Sequence, residues 1–186
     1  MKDDAIIDLY FQRDENAILE SDIKYGGYCR AIAGNILRSR EDTEECINDT
    51  WFKAWNAMPP TRPDVLKLFF AKITRNLSFD KYKKMNAQKR GRGEIDIALS
   101  ELEECIAAHS NVENEVNAKE LENSINRFLD ILPERERNIF LRRYFYVEKS
   151  GAIAQRYNLA PSHVSVILAR TREKLKKHLT DEGYFE

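Results

Sequence analysis

Ser162, His163, Ser165, Val166, Ala169 and Arg170 fall on one side of a helical repeat whose other side is Val164, Ile167, Leu168, Thr171 and Leu175. Short polar side chains and a methyl group at the start of such a helix are the chemistry that reads base edges in a major groove. Arg170, Arg172, Lys174, Lys176 and Lys177 follow where phosphates pass. The same pattern also suits a solvated basic helix in a bundle. A second set of cations stands upstream. Between Arg62 and Arg92 lie ten positive residues against only Asp64 and Asp80, a net of +8 in a chain of formal charge −1. A helix expected from about Val65 to Met85 puts Leu66, Phe69, Phe70, Ile73 and Leu77 on one face. Lys72, Arg75, Asn76, Phe79 and Lys83 then line the opposite face. Cations hold phosphates and an outward ring stacks on an unpaired base, so this face suits melting DNA. Helical spacing equally allows Phe79 to sit at the core boundary.

A helix of opposite character precedes that stripe. Asp42-Thr43-Glu44-Glu45 reads as a capping box with Asp42 as N-cap and Glu45 reaching back. Cys46, Ile47, Thr50, Trp51 and Ala54 form its apolar face. Glu45, Asn48, Asp49, Phe52, Lys53 and Asn56 form the other. A phenylalanine there suits a partner helix, because aromatic residues are enriched at interface cores; a single exposed ring is also ordinary surface.

These residues need short helices set by turn chemistry. Leu132-Pro133-Glu134 opens a helix with proline in its first turn, continuing through Ile139, Phe140 and Tyr144. After Glu148-Lys149, Ser150 is expected to cap a short helix that buries Ile153, Ala154 and Tyr157. Asn158-Leu159-Ala160 is a turn of helix-turn-helix length, and Pro161 starts the next helix. The fold expected is all-α: a helical bundle over 1–90, an acidic linker over 91–117, and a helix-turn-helix domain over 118–186. From Glu94 to Glu122 nine acidic residues stand against Lys119. Ile97, Leu99, Leu102 and Ile106 suit a short, partly buried helix within that run. Such a linker either stays solvated or folds against the basic domains and competes with DNA.

Composition excludes several classes. No apolar run is long enough to span a membrane, and Met1-Lys2-Asp3-Asp4 lacks the features of a signal peptide, so a cytoplasmic protein is expected. Cys29, Cys46 and Cys105 lack ligand spacing and read as reduced thiols, and His109, His163 and His178 form no cluster. There is no glycine-rich phosphate loop, GxSxG elbow or acid/base pair, so no enzyme activity, metal or cofactor is expected.

The run Arg40-Glu41-Asp42-Thr43-Glu44-Glu45-Cys46-Ile47-Asn48-Asp49-Thr50-Trp51-Phe52-Lys53-Ala54-Trp55, followed by Phe69 to Asp80, resembles region 2 of a group IV (extracytoplasmic-function type) sigma-70 family factor. Leu132-Pro133-Glu134-Arg135-Glu136-Arg137 and Ala169-Arg170-Thr171-Arg172-Glu173-Lys174-Leu175 are similar to the start and end of its region 4. The resemblance implies a bacterial promoter-specificity subunit whose partners are core RNA polymerase and promoter DNA. By it, Glu45, Asn48, Asp49, Phe52 and Lys53 would grip the polymerase clamp helices. Lys72, Arg75, Asn76, Phe79 and Lys83 would meet the −10 element, with the loop holding Pro59, Pro60 and Pro63 beside a flipped base. Ser162, His163, Ser165, Val166, Arg170 and Arg172 would bind the −35 element, in a domain that also touches the polymerase flap. An anti-sigma partner often accompanies such factors. The chain departs from the pattern at Gly151, where many members carry glutamate, at Ser165-Val166-Ile167, where a basic cluster is common, and at Ala160, a weak N-cap. Two other readings stand beside this one: a stand-alone helix-turn-helix regulator of duplex DNA, and a helical protein whose basic faces bind an acidic partner.

Overall fold

In the computed structural model, residues 1–86, 94–106 and 115–184 are described, and every regular element among them is a helix. They form two compact units, Met1–Gly91 and Arg92–Glu186, so the expected pair of helical domains is present. Lys89, Arg90, Arg92, Gly91, Gly93 and His109 lie outside the described residues, as do the side chains of Cys105 and Ile106.

The first unit contains α1 (Asp3–Phe11), α2 (Asn16–Leu37), α3 (Arg40–Ala57) and α4 (Leu66–Asn86). Phe70 of α4 is fully buried at its centre. Trp51 meets its ring edge-on at 5.1 Å between centroids, with Tyr25 at 5.7 Å and Tyr10 at 6.3 Å. Such edge and tilted pairs add to the large apolar burial of each ring. The Tyr10 hydroxyl and Ser21 Oγ lie 2.9 Å apart, which satisfies the polar end, and burial pushes that phenol up to about 12.

Helix α3 starts earlier than expected. Ser39, not Asp42, is its N-cap, and the Ser39 hydroxyl accepts from the Asp42 amide at 3.2 Å. Asp42 is free of capping and pairs instead with Lys81 of α4 at 2.8 Å. Lys81 and Ser39 hold its carboxyl below the usual range. Glu45 also pairs with Lys81, so it ties α3 to α4 and does not reach back to the helix start.

The buried side of α4 is more polar than its apolar residues suggest. Leu66, Phe70, Ala71, Thr74 and Ser78 are buried, while Phe69, Ile73 and Leu77 are half-buried. Thr74 donates to the Phe70 carbonyl at 2.8 Å, Ser78 to that of Thr74 at 2.7 Å, and Thr50 of α3 to that of Cys46 at 2.8 Å. Hydroxyls satisfied by their own helix cost little to bury, and their small size lets α3 and α4 approach closely. Cys46 Sγ lies 3.2 Å from Ser78 Oγ across that seam. Cys29 and Cys46 are free and buried; burial pushes both thiols up, Cys29 to about 11.

The second unit contains α5 (Glu94–Ile106), α6 (Glu115–Ile131), α7 (Glu134–Tyr144), α8 (Ser150–Tyr157) and α9 (Pro161–Asp181). Its core joins Phe128, Ile139, Phe140, Ile153, Val164, Leu168, Leu175 and Leu179. The acidic stretch expected to act as linker is, over 94–106, a folded part of this unit. Ile95 and Ala98 are buried and Leu102 half-buried, and α5 packs on α7 and α9. Ile97, expected to be partly buried, is 42% exposed because the buried stripe runs one position away from it. Pro133 is the N-cap of α7, and Lys149 that of α8, so Ser150 is the first helical residue and caps nothing. At the turn before α8, buried Val147 takes a left-handed φ of 54°, a strained conformation for a β-branched residue. Arg142 braces that turn by donating to Glu148 Oε1 at 2.6 Å.

Candidate nucleic-acid interface

Helix α9 starts without a side-chain cap. Ala160 stands at the N-cap with no side-chain bond, Pro161 occupies the first turn without an N–H to satisfy, and the His163 amide donates to the Ala160 carbonyl at 2.9 Å. Asn158, in the left-handed region at φ 52°, ends α8 and reverses the chain. Val164, Leu168, Thr171, Leu175 and Leu179 anchor α9 in the core, while Ser162, His163, Ser165, Val166 and Arg170 are exposed together on its outer side. Ser165 also donates to the Pro161 carbonyl at 3.2 Å. The structure gathers five of the six residues expected there. Arg172 is half-buried and already paired: its Nη1 donates to the Tyr144 hydroxyl at 2.7 Å and lies 3.5 Å from Glu101 of α5. Spacing on α9 alone could not show that α5 lies beside it.

On α4, Lys72, Asn76 and Lys83 are exposed on one face, as their spacing implies. Phe79 shares that face in projection but is only 9% exposed, and the Arg75 guanidinium stacks over its ring at 4.6 Å. The outward aromatic expected for base stacking is therefore a covered ring beneath a half-buried arginine. Burial lowers the Arg75 pKa from its ordinary value, yet a guanidinium keeps its proton in a protein. Between α3 and α4, Pro60, Thr61, Asp64 and Val65 are exposed. Arg62 secures that loop through Asp8 at 2.9 Å and through the Phe11 ring at 5.4 Å.

Asn48, Asp49, Phe52 and Lys53 are all exposed on α3, and so is Glu45 despite its pairing with Lys81. Phe52 is 68% exposed, on the edge of a groove of about 710 Å³ between α2 and α3. Ile18, Leu19, Trp51 and Trp55 make the groove apolar. Leu19, 57% exposed, and Ile23, 70% exposed, were missed in the sequence. Their signal was there: two apolar residues four apart, off the buried stripe of Ala17, Ser21 and Tyr25.

Among the described residues no group of His, Cys, Asp and Glu is arranged to hold a metal, and no helix is long and apolar enough to cross a membrane. The family model described as Sigma-70 region 2 matches residues 24–88, which span α2 to α4. That described as Sigma-70, region 4 matches residues 128–177, from the end of α6 into α9. The chain belongs to the sigma-70 family. It is a sigma factor that directs promoter recognition with core RNA polymerase, a non-catalytic role that needs surfaces for DNA and for the enzyme. No curated protein matches the chain. Region 2 of the sigma factor holds the α3 groove and the α4 face, and region 4 holds α9. Helix α5 falls outside both matched stretches although it packs into the second unit.

Proposed function

We propose that the sigma factor is of the group IV, extracytoplasmic-function type, with region 2 engaging and helping to melt the −10 element and region 4 reading the −35 element as duplex. On this reading the α3 face of Glu45, Asn48, Asp49, Phe52 and Lys53 docks on the polymerase clamp helices. Phe52 supplies the apolar anchor and the polar residues the rim. Lys72, Arg75, Asn76 and Lys83 of α4 follow the backbone of the melting strand, with Phe79 supporting Arg75 from beneath. The proline loop after α3 flanks a flipped base. Ser162, His163, Ser165 and Val166 read base edges and Arg170 holds phosphate, while region 4 also meets the polymerase flap. An anti-sigma protein, where one exists, competes for these same faces.

The observation that carries the reading is the exposed Phe52 beside an apolar groove on region 2. A regulator that binds duplex DNA through region 4 alone has no use for it. The test mixes the purified chain with bacterial core RNA polymerase, follows co-elution, and then measures run-off transcription from a promoter library. Co-elution with selective transcripts is expected. Duplex binding without polymerase association would instead establish the stand-alone regulator.

A further inference from the structure

Glu101 of α5 sits among three donors of the helix-turn-helix unit. Arg143 Nε lies 3.4 Å from its Oε2 and Arg143 Nη2 3.5 Å from its Oε1. The Tyr144 hydroxyl donates to Oε2 at 3.0 Å, and Arg172 Nη1 lies 3.5 Å away. Arg143 is only 3% exposed, and a buried guanidinium requires an anion beside it. Two guanidinium groups and a phenol converging on one carboxylate are also the donors that hold a phosphate.

The place of this cluster on α9 gives it meaning. Arg172 follows Ser165 by seven residues, which is two turns and about 10 Å along the same side of the helix. A major groove is about 12 Å wide, so a helix reading bases near Ser165 brings a bordering phosphate close to Arg172. Helix α5 carries five acidic residues and no basic one. It lies against α7 and α9, beside the path that phosphate would take, and it is an addition to the matched region 4 stretch. We propose that Arg143, Tyr144 and Arg172 form an anion site of region 4 that Glu101 fills in the free sigma factor and yields to a backbone phosphate of duplex DNA. Helix α5 is then an internal competitor: the duplex must displace it before Arg172 contributes. The inference rests on the reading of α9 as the duplex-binding helix.

The test has two arms on the full chain, both using a short mixed-sequence duplex. Hydrogen–deuterium exchange of the wild-type chain is expected to show α5 amides losing protection as duplex saturates, while those of α7 keep theirs. Millimolar inorganic phosphate alone should leave α5 protected; release by phosphate would overturn the assignment to DNA. In fluorescence anisotropy, Glu101→Gln should tighten duplex binding about fivefold, because no carboxylate then has to be displaced, and leave the log affinity against log salt slope unchanged, because the same phosphate contact forms in both complexes. Glu103→Gln removes the same charge from an exposed position of α5 and should change affinity far less. Adding Arg172→Ala to Glu101→Gln should erase the gain. Unchanged α5 protection in the duplex complex, or equal tightening by Glu103→Gln, overturns the proposal and leaves region 4 binding intact. Absence of duplex binding by every variant overturns the reading of α9 and the competitor together.

Discussion

Replacing Phe52 by alanine separates binding from folding, because the ring is two-thirds outside the core. A buried phenylalanine removes on the order of 200 Å² from water, and 68% exposure leaves about 130 Å² of that still to be covered by a partner. At about 25 cal/mol per Å², full coverage is worth ~3 kcal/mol, and alanine retains a fraction of it. The expected loss on binding core polymerase is therefore about 2–3 kcal/mol, a 30- to 150-fold rise in Kd. Folding stability should move by no more than about 0.5 kcal/mol, since an exposed side chain contributes little to it. Labelled sigma factor titrated with core enzyme reads the first quantity, and thermal unfolding reads the second. Asp49→Ala, on the same exposed face, should act through association rate and weaken its salt dependence. A Phe52→Ala variant with wild-type melting and a Kd within about twofold of wild type would refute the placement of polymerase on α3.

Other expectations follow from single positions. Gly27 is exposed inside α2 with nothing within 4 Å of an added Cβ, so Gly27→Ala should add up to about 1 kcal/mol of stability, read as a higher urea midpoint at unchanged slope. At Gly26 a Cβ would come within 2.4 Å of both Asp22 Oδ1 and Arg30 Nη1, whose ion pair crosses it. Gly26→Ala should therefore gain less, and an equal gain at both sites would remove that explanation. The Ser124 hydroxyl, then Arg127, hold the Glu182 carboxyl below its ordinary value of 4.5. A depressed pKa contributes stability above the unfolded value and loses it as pH falls through the folded one. The advantage of wild type over Glu182→Gln in melting temperature should thus be full at neutral pH and vanish in strong acid; a pH-independent difference would contradict the sign. Arg170→Ala should weaken binding to all duplexes alike, whereas Ser165→Ala should change preference among −35 variants, measured on the same panel.

The exposed faces of α3 and α9 were legible because a helix imposes its period locally: residues three and four apart must share a side. Turn chemistry added the boundaries, as Pro161 and Asn158 did around α9. Where the sequence reading failed, something from elsewhere in the chain intervened. Spacing put Phe79 outward, and the Arg75 side chain folded over it. A plausible capping box at Asp42 gave way to Ser39, because Lys81 of α4 offered Asp42 and Glu45 a better partner.

What the sequence determined alone was the helical character of the α3, α4 and α7 to α9 segments, the buried stripe of α9 and the segregation of charge, all of which depend on neighbours within a turn or two. Only tertiary structure decided that the helix in the acidic run would pack on α7 and α9, that its Glu101 would take Arg172 away from the exposed cations, and that Leu19 would meet Phe52 across a groove. Those outcomes depend on which faces of distant helices meet, and burial of Arg143 against Glu101 needs a partner some forty residues away that no local pattern encodes.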